Sequence, residues 1–224
     1  DMGLGKTLQT ITHLLVEKES GRLTHPALVV APTSVIHNWA AEVRRFAPSL
    51  KVLVLHGKDR AEDFSRIAQS DLVITSYALL PRDEEVLKAQ HWHYVVLDEA
   101  QNIKNAKTKA ALSACALESD HRLCLSGTPL ENNLGELWSL FRFLMPGFLG
   151  DEQKFKVAYR TPIETHGDGE RAMMLVQRVR PFLLRRTKDQ VASELPPKTE
   201  VVREVEFQAS QRDLYETVRA AMDK

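Results

Sequence analysis

Gly3-Leu4-Gly5-Lys6-Thr7 opens the sequence with residue types suited to holding phosphate. These residues carry the end of the pattern G-x-x-x-x-G-K-[ST], whose first position would precede residue 1. Gly3 and Gly5 let consecutive backbone N–H groups curl around phosphate oxygens. Lys6 would set its ammonium against the β and γ phosphates, and Thr7 would offer its hydroxyl to Mg²⁺ while opening a helix whose N-terminal dipole favours an anion. The second group is Asp98-Glu99-Ala100-Gln101, delivered by the apolar run Tyr94 to Leu97. Asp98 is the candidate metal carboxylate, and Glu99 the residue that would orient and polarise a water attacking the γ-phosphate. ATP with Mg²⁺ is the ligand this pairing implies.

Elements that could position these residues alternate along the chain. Leu8, Ile11, Leu14 and Leu15 recur at helical spacing and stop near Ser20-Gly21. Ala27 to Ala31 is continuously apolar, as in a strand buried on both faces. Pro32 ends it, Thr33-Ser34 supply candidate N-caps, and Val35, Trp39, Val43 and Phe46 then fall on one helical face. The alternation continues with a strand over 51–56, a helix over 61–68, a strand over 71–75, a helix over 107–117 and a strand over 122–125. An open parallel sheet gathers ligands beyond the carboxyl ends of its strands. The polar clusters after Ala31, Thr75 and Leu97 are therefore expected on one edge, and Ser126-Gly127-Thr128-Pro129 forms another polar strand end. Beyond residue 130 the pattern turns helical, at 137–144, 155–159 and 171–179. A strand over 198–207 and a helix over 211–222 close the sequence.

Composition narrows the function classes. Thirty basic residues balance thirty acidic ones, so a uniformly cationic nucleic-acid binder is excluded and any DNA contact must come from a local patch. Cys115 and Cys124 lack C-x-x-C spacing and read as reduced buried thiols. The histidines form no H-E-x-x-H or zinc-like cluster, and no apolar run reaches the length of a membrane span. No N-K-x-D guanine-recognition sequence occurs, which disfavours a GTPase.

Taken together, the phosphate loop, the acidic tetrad and Ser126-Gly127-Thr128-Pro129 stand in the order seen in superfamily-two helicases. D-M-G-L-G-K-T, the Asn38-Trp39 pair, the stretch Leu125 to Asn132, and Leu184-Arg185-Arg186-Thr187-Lys188 with Leu195-Pro196-Pro197-Lys198 resemble the SWI/SNF-type ATPases, double-stranded-DNA translocases and chromatin remodellers. The resemblance implies an α/β fold: a RecA-like P-loop lobe, with a mainly parallel sheet flanked by helices. That lobe would occupy residues 1–145, followed by a helical protrusion at 146–182, a return segment and strand at 183–207, and a lead-in helix to a second lobe at 208–224. It also implies that Thr33, Ser34, Thr75, Ser76 and Tyr77 lie in or near segments that track the DNA backbone. Ser126, Gly127 and Thr128 would couple nucleotide state to movement, with Gln101, which stands where many members carry histidine. Between Arg178 and Lys188 five basic residues occur with no acid, and Arg185 and Arg186 are a candidate DNA-facing pair. No second set of motifs follows residue 206, so a further RecA-like lobe is expected as partner, alongside double-stranded DNA and DNA-bound proteins. Two rival readings remain: an ATPase lobe acting on RNA or single strands, and a non-catalytic binding module. The expected compartment is cytoplasmic or nucleoid-associated in a bacterium, nuclear in a eukaryote.

Overall fold

The computed structural model describes residues 3–127, 134–191 and 207–222. They divide into two compact units, Asp1–Lys188 and Asp189–Lys224. The first unit is built on five parallel strands: β1 (Ala27–Ala31), β2 (Val52–Val54), β3 (Leu72–Ser76), β4 (His91–Leu97) and β5 (Glu118–Cys124), in the spatial order β2-β3-β1-β4-β5. Parallel neighbours need crossovers, and the crossovers are helical: α1 (Lys6–Glu19) precedes β1, α2 (Ile36–Phe46) joins β1 to β2, α3 (Glu84–Lys88) joins β3 to β4, and α4 (Lys109–Cys115) joins β4 to β5.

Residue identity on β1 explains its central place. Every residue of the strand is buried. Leu28 and Val30 enter one core with Val73, Val95 and Leu97; Ala27, Val29 and Ala31 enter the opposite core with Ile74 and Val96. The period-two alternation of a strand thus feeds both faces. On one face α1 and α2 cover the sheet through Ile11, Leu14, Ile36, Trp39 and Val43. On the other lie Leu87 of α3, Ala111 and Ala114 of α4, and Leu140 and Phe143 of α5 (Leu134–Leu144).

α5 also turns Leu137, Trp138 and Phe141 outward into a third core. There it meets Leu149, Phe155 of α6 (Glu152–Phe155), and Leu175 and Val179 of α8 (Gly169–Val179). Between α6 and α8 the chain passes through one π-helical turn, Lys156–Arg160, and α7 (Thr161–His166); the separation expected over Thr165 to Gly169 narrows to Gly167 and Asp168, which end α7 and cap α8. The helices that follow α5 therefore share it with the sheet's own core. The last elements are α9 (Lys188–Val191), at the boundary of the two units, and α10 (Ala209–Met222), where Phe207 stacks on Tyr215 at 5.5 Å. Apart from Phe207, the strand expected over 198–207 lies outside the described residues, as do Thr128 and the Leu195-Pro196-Pro197-Lys198 run.

Other expectations need correction. Residues 61–68 do not form an α-helix; Asp59–Gln69 runs as 3₁₀ turns. Phe64 and Ile67, the two apolar anchors facing the core, are three apart, and that spacing suits three residues per turn. Thr33 and Ser34 do not cap α2. They belong to a 3₁₀ turn, Thr33–Val35, that enters the helix without a side-chain cap. Phe46, expected on the buried face of α2, is the helix's last residue and is exposed, with the Arg45 guanidinium 5.0 Å from its ring centre.

The far edge of the sheet is tied by charge. Lys18 of α1 reaches Asp71 Oδ2 at 2.6 Å, just before β3. The Arg22 guanidinium donates to Glu17, holding that carboxyl down at about 2. His91 and His93 both face Asp120, at 2.7 and 3.4 Å, so these histidines serve β4 and β5. Among the described residues no group of His, Cys, Asp or Glu could hold a metal ion by such side chains alone, and no helix is long and apolar enough to cross a membrane. Both cysteines are free, and burial pushes both thiols up.

Candidate active site

The phosphate loop enters α1 through two left-handed residues, Gly3 at φ 77° and Gly5 at φ 73°. A Cβ at Gly5 would meet nothing within 4 Å, so the requirement there is backbone conformation, not space. Gly5 is the N-cap of α1 and supplies no side-chain cap, which leaves the first-turn N–H groups to an external acceptor. Lys6 and Thr7 occupy that first turn and are half-buried.

Asp98 stands where β4 ends, at the carboxyl edge of the sheet. Its backbone N–H bonds to Val30 O of β1 at 2.9 Å. The side chain is buried, with Oδ2 accepting from Trp39 Nε1 at 2.8 Å and Oδ1 from the Glu99 N–H at 3.0 Å. Burial raises its proton affinity; the Trp39 and Glu99 hydrogen bonds and the Lys6 ammonium oppose that rise.

Glu99 has φ 47°, the one positive value at a non-glycine residue among those described. Such a conformation costs on the order of 1–3 kcal/mol and persists where its surroundings fix it. Asn102 Nδ2 holds Glu99 O at 2.8 Å, and Gln101 Nε2 holds Glu99 Oε2 at 2.8 Å. Ser126 Oγ in turn donates to Gln101 Oε1 at 3.0 Å. A continuous relay therefore runs from the end of β5 through Gln101 to the Glu99 carboxylate. Gly127 beside it is buried, and Thr128 lies outside the described residues.

The ends of β1, β2 and β3 meet at a cavity of about 260 Å³. Thr33, His56, Lys58, Arg60, Ser76 and Arg82 are among its lining residues. Composition did not single out His56, Lys58 or Arg82; the available signal was a third polar strand end, His56-Gly57-Lys58, with Gly57 at φ 87°. The five residues expected in or near segments that track the DNA backbone behave differently. Thr33 and Ser34 are exposed. Thr75 is fully buried and bonds to Leu55 O, and Ser76 is buried but borders the cavity. Tyr77 turns inward and donates to Asp98 O at 2.8 Å, and burial pushes its phenol up. The Thr75 and Tyr77 side chains are therefore committed to the fold. Arg185 and Arg186 are exposed and lie away from this edge in sequence, whereas Arg178 is tied to Phe148 O at 2.7 Å.

A model of the SNF2-related domain matches residues 1–224, the whole chain. The chain belongs to that family. YwqA of Bacillus subtilis, whose name is that of an ATP-dependent helicase/translocase, is 47% identical over 96% of this chain. The TATA-binding protein-associated factor mot1 of Schizosaccharomyces pombe is 42% identical over 88% of it. Two solved structures of the Sulfolobus solfataricus SWI2/SNF2 ATPase core superpose on it. The core in complex with dsDNA has a TM-score of 0.78 at 46% identity over 84% of this chain, and the core domain alone 0.77 at 41% over 100%. The matched region spans 24% of YwqA, 11% of mot1, and 39% and 46% of the two solved cores. The fold is thus RecA-like, with the SNF2-family ATPase architecture.

Proposed function

We propose that this chain is the first, ATP-binding lobe of a translocase on double-stranded DNA. Hydrolysis would drive movement once a second RecA-like lobe, from the remainder of the protein, faces the site. The relay that places Glu99, Gln101 and Ser126 in one hydrogen-bonded line carries the reading, because it joins a hydrolytic carboxylate to a segment that can report nucleotide state. In this scheme Gly3, Leu4, Gly5 and Lys6 cradle the phosphates, Lys6 offsets their charge, and Glu99 orients the attacking water. The residues present also fit Mg²⁺. Asp98 and Thr7 offer hard oxygen donors, and each Asp98 oxygen has a lone pair beyond the hydrogen bond described above. The ion, when bound, supplies positive charge against the phosphate oxygens. An arginine from the facing lobe would add transition-state stabilisation worth on the order of 10³–10⁵ in rate.

Duplex DNA is the proposed track because the solved relative with 46% identity is described in complex with dsDNA, and because Lys58 and Arg82 border the cavity at the ends of β1 to β3. Thr33 and Ser34 would meet the backbone there. Arg185 and Arg186 are a proposed second contact, and DNA-bound proteins are proposed as what the movement acts on. The workplace would be the cytoplasm or nucleoid of a bacterium, or the nucleus of a eukaryote.

The experiment is a salt titration of duplex binding. Replacing Lys58 and Arg82 together with glutamine is expected to weaken binding of a labelled duplex about tenfold or more near 0.1 M salt. The slope of log affinity against log salt should fall by about two. Fluorescence anisotropy measures both, and an unchanged slope would remove this edge from the DNA-binding surface.

A further inference from the structure

Asp98 is held from two sides by segments that follow other strands. α2, which follows β1, sends the Trp39 indole N–H to its carboxylate, and the turn after β3 sends the Tyr77 hydroxyl to its backbone carbonyl, each at 2.8 Å. Both donors are buried, at 1% and 8% exposure. Immediately before these two segments, Thr33 ahead of α2 and Ser76 at the end of β3 line the cavity on the sheet edge. A satisfied core tryptophan needs only some acceptor. Here the acceptors are both on the one residue that carries the metal-side carboxylate, and they differ in kind: Trp39 fixes the direction of the Asp98 side chain, and Tyr77 fixes the backbone from which it projects.

We propose that Trp39 and Tyr77 are positioning residues that aim Asp98 at the metal and fasten it to the two segments bordering the edge cavity. The inference rests on the proposed role of Asp98 and does not require DNA. It predicts that removing either donor weakens metal binding while leaving the metal-free nucleotide site intact.

The test uses the full-length protein with Mn²⁺ as a paramagnetic probe and a slowly hydrolysed ATP analogue, for wild type, Trp39→Phe, Tyr77→Phe and Asp98→Asn. Mn²⁺ affinity from electron paramagnetic resonance is expected to fall about tenfold or more in Trp39→Phe, as for one lost hydrogen bond to a charged group, and about threefold or more in Tyr77→Phe. Analogue affinity in EDTA should match wild type. Unchanged Mn²⁺ affinity in both phenylalanine variants, with Asp98→Asn impaired, would overturn the positioning role alone. Unchanged affinity in Asp98→Asn would overturn the reading of Asp98 on which it rests. Parallel losses of Mn²⁺ and metal-free nucleotide binding would show a packing role and overturn it too. Tyr77→Phe removes one hydroxyl, so it decides the matter if Trp39→Phe fails to fold.

Discussion

Glu99→Gln is expected to lower ATP turnover by about 10²–10⁴-fold, the range for loss of a positioned general base, while ATP affinity stays within about threefold of wild type. The amide is nearly isosteric and can still accept a hydrogen bond from Gln101, so the relay from Ser126 keeps its shape. What is lost is the negative charge that, in the proposed role, polarises the attacking water. The left-handed backbone at residue 99 is set by Asn102 and by the strand end before it, and neither depends on the carboxylate. Rapid-quench turnover together with fluorescent-nucleotide binding in the two-lobed protein separates the effects. Wild-type turnover in this variant would mean that another group activates the water.

Arg60→Ala should produce the second large effect, on stability. Arg60 Nε and Nη2 bond to the two oxygens of Asp83 at 2.7 and 2.6 Å, and the Asp83 side chain is 4% exposed. Deleting one partner strands a buried charge, which typically costs 3–5 kcal/mol; Arg60 keeps 17% exposure, so roughly 2–4 kcal/mol is expected here. For a unit of this size that corresponds to ~5–15 °C in Tm. Replacing both residues with apolar ones of similar volume, Arg60→Met with Asp83→Leu, should recover most of the loss, because no charge is then left unpaired. Thermal unfolding by circular dichroism measures both. A single variant as stable as wild type would show that water reaches Asp83.

The same pair explains why the cavity on the sheet edge was hard to read beforehand. Arg60 lines it yet is bound to Asp83, and the basic residues around it come from separate strand ends that only the fold brings together. Local chemistry was far more legible. Gly5-Lys6-Thr7 and Asp98-Glu99 are contiguous, so type and order sufficed, and the continuous apolar run of β1 announced burial on both faces. The strand expected over 122–125 starts four residues earlier, a start that was hidden because Glu118 to His121 are polar. The strand pairs with β4 alone among the described strands, and an edge position tolerates that polarity.

Direction was the other thing the sequence withheld. Thr75, Ser76 and Tyr77 looked like a hydroxyl-rich strand end open to a ligand, but their side chains are buried, and Tyr77 is turned toward Asp98. Trp39 read as one apolar position in a helical stripe. Its ring does pack in the core beneath α2, while its N–H reaches Asp98 at the carboxyl edge of the sheet, 59 residues away in sequence. Periodicity assigns a face to such a residue; it does not assign the polar atom at its rim.

The central claim, that this site hydrolyses ATP in response to duplex DNA, is tested most directly by steady-state ATP turnover of the two-lobed protein with duplex DNA, single-stranded DNA, RNA or no polymer added. Glu99→Gln supplies the background. The account predicts stimulation by duplex of about tenfold or more, with little from the other polymers, and none above background in the variant. Stimulation by single strands or RNA instead, or equal turnover with and without every polymer, would contradict it.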